Sequence, residues 1–282
     1  MATLAPPAEL LRRQIVGGVR SFFNDQSKGE RPVVPSDDAL IPRGSVAWRV
    51  HGDVASMMVG GIAALLLQML HPAALAGVWD HSDFRRNMHG RLRNTARFIA
   101  VTTFGEREAA EAAIARVRGI HDHVNGVLPD ETPYDANDPM LLSWVHLAGG
   151  LMFLDSWIRF GEPEMSSVDR DAYWRDVAPA ARMLGAEPVP VTAADAAALL
   201  GQFPSQLRGD ERTRTVRNVI LRQPPPTLAV LPVQTLLMRS AVDLLPSWAR
   251  RMHGLRSSGV GAQAVGAATT GLARTIRWAF RS

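Results

Sequence analysis

Histidine and arginine carry most of the chemistry open to this chain, because cysteine is absent and Lys28 is the only lysine. Without thiols there are no disulfides, thiolate-bound metals or cysteine nucleophiles, so a metal would have to be held by His, a carboxylate or Tyr. His71, Asp80, His81, Asp83 and His89 fall close together. They lack the fixed spacing, such as H-E-x-x-H, that sets two ligands on one helix face, so a solvated connector is the plainer reading, with Asp80 and His81 bordering a pocket. Farther on, Ile114, Val117, His121, Val124 and Leu128 recur at helical spacing, whereas His123 lies about 160° away. His121 therefore faces the core. A lone histidine on an apolar face is more often a satisfied core residue than a ligand, and the residues alone leave both readings open. His146 shares a face with Leu142, Gly149 and Phe153, where Gly149-Gly150 would admit another helix or a flat ring. Arg91, Thr95, Phe98 and Thr102 form a third stripe, on which Arg91 by itself reads as an ordinary salt-bridged arginine.

The elements that must position these groups are helical. Periodicity near 3.6 runs through almost the whole chain and no window alternates long enough for a sheet, which predicts an all-α fold. Helices are expected over about Val46–Leu70, Phe84–Phe104, Glu106–Asn125, Pro139–Phe160 and Val168–Leu184. Asp138 before Pro139 is a start signal, a carboxylate N-cap ahead of a proline at the first helical position. Thr192 with Asp195 is another. From Val54 to Trp79 there is no Asp, Glu, Lys or Arg. This run is long enough for a bilayer, but Gly60-Gly61 and Pro72 interrupt it and no basic flank orients it, so it reads as a central buried helix. With 282 residues and 46% hydrophobic content, one large domain is expected over 44–256. Before it come an amphipathic lead-in helix (Leu11, Ile15, Val19, Phe22) and a Pro-rich connector within 1–43. After it a loosely held tail, 257–282, ending in a basic helix Leu272–Arg281, offers peripheral membrane contact. A net charge of only +4 argues against a nucleic-acid partner. The first residues carry prolines and Glu9 and no continuous apolar run after Arg12-Arg13, so a cytoplasmic protein is expected.

Several segments in fixed order carry a resemblance: Gly52-Asp53, ALLLQMLHP at Ala64–Pro72, AGVWDHSDF at Ala76–Phe84, GRLRNT at Gly90–Thr95, IHDHVNG at Ile120–Gly126 and WVH at Trp144–His146. Across roughly Arg49 to Gly185 the chain resembles the MpaB-type oxygenases and rubber oxygenases, or latex clearing proteins. That resemblance implies a b-type haem in a pocket between helices. It makes His121 the proximal iron ligand, with its second ring nitrogen donating to a carbonyl or carboxylate. Histidine 146, also in a family context, is the runner-up, expected buried at the pocket without coordinating iron. The rubber oxygenases carry Arg-x-x-Lys-Thr beside the distal face of the haem; the same spacing here reads Arg91, Leu92, Arg93, Asn94, Thr95. Asn94 replaces the lysine, and a carboxamide is no substitute for an amine ligand, which implies an open or water-bound distal position.

The expected activity is a haem b-dependent oxygenase acting with O2 on an apolar, unsaturated or isoprenoid-like substrate, with an electron donor as a further partner. Arg91 and Thr95 would assist electrostatically, and Arg91 and Arg93 are candidates for the haem propionates, as are Arg85 and Arg86. GVWDHSDF holds no counterpart of the rubber oxygenases' glutamate base, so Asp80 stands as the catalytic carboxylate candidate. Two other classes compete: a non-haem metalloenzyme using His71, His81 and His121 or His146, and a non-catalytic helical protein that binds lipid or a membrane surface.

Overall fold

A computed structural model describes residues 6–24, 29–225 and 227–281. Lys28 at the head of the connector, the side chain of Phe22 and Pro226 of the proline triplet lie outside the described residues. The chain is all-α, as expected, and 68% helical. Its helices are α1 (Pro7–Phe23), α2 (Val46–His51), α3 (Val54–Gln68), α4 (Pro72–His81), α5 (Met88–Phe104), α6 (Arg107–His121), α7 (Pro139–Phe160), α8 (Ser167–Leu184), α9 (Ala193–Leu200), α10 (Glu211–Leu221), α11 (Leu231–Leu244), α12 (Ser247–Met252) and α13 (Ala262–Phe280). Between α6 and α7 a short antiparallel ribbon pairs β1 (Asn125–Val127) with β2 (Pro133–Asp135), too short to show as alternation in the sequence.

The centre is the packing of α3 against α7. Leu66, Leu67, Leu147 and Trp144 are fully buried there, each large apolar side chain stabilising by roughly 2 kcal/mol. The two backbones touch at Gly60, where a Cβ would stand 2.8 Å from the Met152 carbonyl and 3.0 Å from Phe153 Cα. At Gly150 the flat ring that approaches is the Trp174 indole of α8. Ser156 Oγ donates to Ser56 O at 2.8 Å across this seam, while the Ser56 hydroxyl is buried without a partner.

The expected helix Val46–Leu70 is two helices. Asp53 leaves the helical path and caps α3, its carboxylate accepting from Ser56 N at 2.9 Å, which satisfies an orphan donor that a continuous helix would not have. His71-Pro72 does not open a connector; it starts α4, bent by 102° from α3. A proline suits a first helical turn and cannot continue the previous one. The other long apolar helix, α7, could cross a membrane by length and composition; 56% of that window is buried inside the fold. The Asp138 cap holds, accepting from Leu141 N at 2.8 Å. Thr192 also caps as expected, accepting from Asp195 N at 3.0 Å.

Two expectations fail at the ends of elements. Helix α6 stops at His121, so Val124 and Leu128 lie beyond the helix, half-buried on either side of β1. The expected loose tail contains α13, which buries Thr269, Ala273, Ile276 and Ala279. Arg277 donates to the buried Asp53 carboxylate at 2.6 Å and to Phe160 O at 2.8 Å. Small residues that look like linker chemistry serve there as a close-packing face. On α1, Ile15 and Val19 are half-buried while Leu11 stays exposed.

Candidate functional site

Helices α5 and α6 lie side by side and carry the two residues of greatest interest. The far half of the Arg91 stripe is structural: Phe98 packs with Ala110, Ile114 and residues of α8, and Thr102 Oγ1 returns to Phe98 O at 2.9 Å. The near half is not. Arg91 is half-buried, and desolvation lowers its pKa. Among the described residues its guanidinium has no hydrogen-bond or ion-pair partner. An ordinary salt-bridged arginine is therefore not what the structure shows. Thr95 is exposed and donates its hydroxyl proton to Arg91 O at 3.1 Å, which leaves only its lone pairs for anything else.

His121 ends α6 in range of the Arg91 charge. Burial lowers its pKa; Asn137 and Asp135 oppose this, Arg91 adds to it, and Asp122 opposes it weakly. The ring is neutral near pH 7. Its Nδ1 is buried and unpartnered, as is Asn137 Oδ1. Asn137 shifts the imidazole as a hydrogen-bonding neighbour would, yet no bond between them has acceptable geometry, so the two are in contact but unpaired. The carboxamide is fixed from its other end, with Nδ2 donating to Asp122 Oδ1 at 2.7 Å. Asn137 was not a sequence candidate. Its only signal was the turn chemistry of Asp135-Ala136-Asn137-Asp138 ahead of Pro139.

His146 projects from the middle of α7 toward α8. The residue keeps some exposure, but its Nε2 has none and no partner. Burial, reinforced by Arg182, lowers its pKa to about 4, and its ring meets Trp174 edge-on at 6.0 Å. A different histidine, missed in the sequence, holds the junction of α2, α5 and α8. His51 pairs Nδ1 with Thr103 Oγ1 at 2.8 Å and Nε2 with Tyr173 OH at 3.2 Å. Its pKa also falls to about 4 through burial. Both nitrogens are occupied, which makes it a core residue.

The densest run of ionisable residues is mostly engaged elsewhere, although His71 Nδ1 is buried without a partner. Tyr134 OH donates to Asp80 at 2.9 Å, and His81 Nε2 lies 3.1 Å from both Tyr134 OH and Asn125 O. These contacts tie α4 to the ribbon. Burial and Asp80 together push the Tyr134 phenol up to about 12. Arg85 stacks over Trp79 at 4.0 Å, and His71 pairs with Gln206 at 3.3 Å. Arg93 is half-buried, and its charge, after burial, lowers the pKa of His89. Among the described residues no three His, Asp or Glu side chains gather as a metal site, so the His71–His81 ligand set does not assemble. Two grooves, of about 340 and 860 Å³, lie away from Arg91, His121 and His146.

The family model described as ER-bound oxygenase mpaB/B'/Rubber oxygenase, catalytic domain, matches residues 48–278. The chain belongs to this oxygenase family. The match runs through α13, the segment expected as a tail, and with it come O2 and an organic substrate as partners. Searches of curated proteins and of solved structures return no match.

For an oxygenase of this family, the residues at α5 and α6 fit a haem by their chemistry. Iron takes a neutral imidazole, and His121 is neutral with an unpartnered buried nitrogen. Haem carries carboxylates, and Arg91 is a desolvated cation with no carboxylate of its own. An unpaired buried charge is costly and calls for a counter-charge.

Proposed function

We propose that the protein is a haem b-dependent oxygenase in which His121 ligates the iron and an apolar, unsaturated or isoprenoid-like substrate is attacked at or near a C=C bond. The observation that carries this reading is the pairing of a neutral His121 with an unpartnered, desolvated Arg91 on neighbouring helices, inside an oxygenase family match. Bound haem would supply the redox-active iron for dioxygen chemistry, with electrons from a separate donor. Arg91 would hold a propionate or stabilise developing negative charge, where low dielectric strengthens its effect. Thr95 can accept a hydrogen bond from water or substrate but has already committed its proton. Asn94, an exposed carboxamide, would bind a metal less strongly than an amine and so would leave small molecules access to it. Asn137, fixed by Asp122, would orient the His121 ring as a neighbour without taking the unpartnered ring nitrogen. His146, with its unpartnered Nε2 and lowered pKa, would be a second neutral imidazole available to the same site. Asp80, bonded to Tyr134 and exposed, is the weakest of the catalytic candidates.

The test is the absorption spectrum of protein made with haem precursor, oxidised and then reduced with and without carbon monoxide. A Soret band that shifts in both steps, is lost in His121→Ala and survives in His146→Ala is the expected result. Colourless protein that also refuses added haemin would overturn the reading.

A further inference from the structure

The larger groove is walled by α10 and α11 on one side and by the α12–α13 connection on the other. Its floor is apolar and half-buried, formed by Leu221, Met238, Val242, Leu255 and Val265. Three exposed arginines, Arg222, Arg239 and Arg256, line it, and no acidic side chain does. None of the three has a hydrogen bond or ion pair among the described residues. Other arginines of the molecule are matched, as Arg49 is to Glu162 and Asp169 and Arg277 to Asp53. Asp243, four residues from Arg239, accepts from Ser258 N at 2.8 Å and forms no ion pair with any of the three. Arginine charge therefore outnumbers carboxylate charge around this groove. One turn back along α10, the pKa of Arg217 is lowered first by burial and then by the charges of Arg222 and Arg214.

The same region presents the most exposed large apolar side chains of the described residues. Leu228 is 83% exposed and Val260 102%. Leu228 sits just before α11, whose first residue Leu231 lines one wall and is itself 44% exposed; Val260 adjoins Gly261, which lines the other. A soluble surface exposes single apolar residues routinely, but protruding ones beside an arginine-rimmed apolar groove mark a place where part of the surface leaves water. Arginines suit the phosphates, the apolar tips suit the acyl boundary, and neither needs a preformed protein partner.

We infer that this face docks on a bilayer surface containing anionic phospholipids, Arg222, Arg239 and Arg256 meeting headgroup phosphates while Leu228 and Val260 enter the interface. The surface is separate from the α5–α6 site and does not depend on the haem assignment. Flotation of the full chain with vesicles of phosphatidylcholine, alone and with phosphatidylglycerol, tests it. Binding is expected only to the anionic vesicles and should weaken with salt. The triple variant R222E/R239E/R256E should lose at least about tenfold in partitioning, and L228S/V260S should also bind more weakly, with unchanged melting of both proteins as the control for folding. Wild-type protein that stays unbound would overturn the inference, as would a triple variant that floats equally well, which would move the contact to the exposed Trp278 and Phe280 of α13. Competition by free glycerol phosphate without vesicle binding would assign the arginines to a soluble anion. Self-association abolished by L228S/V260S, again without vesicle binding, would assign the patch to a second copy of the chain. Either result overturns the docking surface.

Discussion

The end of α4 and the junction of α5 with α6 are both rich in ionisable groups, and they differ in how those groups are spent. At α4, Asp80, His81 and Tyr134 are bonded to one another and to the ribbon, and Arg85 lies on an indole. At the α5–α6 junction, the Arg91 guanidinium has no hydrogen-bond or ion-pair partner among the described residues, and His121 Nδ1 and Asn137 Oδ1 are buried and unpaired. Buried polar groups in folded proteins nearly always find partners, so an unsatisfied set marks a site more reliably than a dense one. The crowded segment is a clasp. The sparse one keeps buried donors and acceptors that a bound group could partner.

The strongest way to break that contrast is to remove one histidine from each region. His121→Ala should abolish haem retention, read as loss of the Soret band, while His81→Ala keeps it; the reverse pattern would move the site to α4. Next in size is acid sensitivity. His51, His146 and His253 all protonate near pH 4 in the folded chain, against about 6.5 unfolded. Stability is then complete above 6.5 and falls as pH drops from 6.5 towards 4, by up to about 3 kcal/mol per histidine. A denaturation midpoint that does not change between neutral pH and about 5 would show that these rings are not held neutral. Arg91→Gln should weaken haem binding by about tenfold or more in titrations with haemin, consistent with loss of a charge-assisted pair. Arg85→Gln should leave haem affinity alone and cost about 0.5–1 kcal/mol of stability. The smallest effect falls on the clasp, where Tyr134→Phe should lower stability by about 1 kcal/mol with the haem spectrum unchanged; an altered spectrum would extend the site to Asp80.

The apolar core was readable because α3 and α7 are long apolar runs with local boundary signals, Pro72 after one and Asp138-Pro139 at the start of the other. The break at Gly52-Asp53 was not, since what makes Asp53 leave the helix includes a partner, Arg277, far along the chain. For the same reason α13 looked like a tail: its Gly, Ala and Thr face has meaning only against α3, α11 and α1. Among the site residues, Arg91 and His121 were visible through stripe and motif spacing. Their shared electrostatic neighbourhood was not, because it depends on how α5 packs on α6. Asn137 was hidden by the ordinariness of a turn asparagine.

The Asp53–Arg277 pair also sets an order of events at the ribosome. Asp53 is 5% exposed and caps the central helix, so until residue 277 has left the exit tunnel a buried carboxylate waits without its counter-charge. Arg12 adds a second tie, donating to Ala279 O at 3.0 Å. The chain can collapse around α3 and α7, but the cap of its central helix is neutralised only when α13 docks. A chain cut before Arg277 would therefore be harmed at α3, far from the cut.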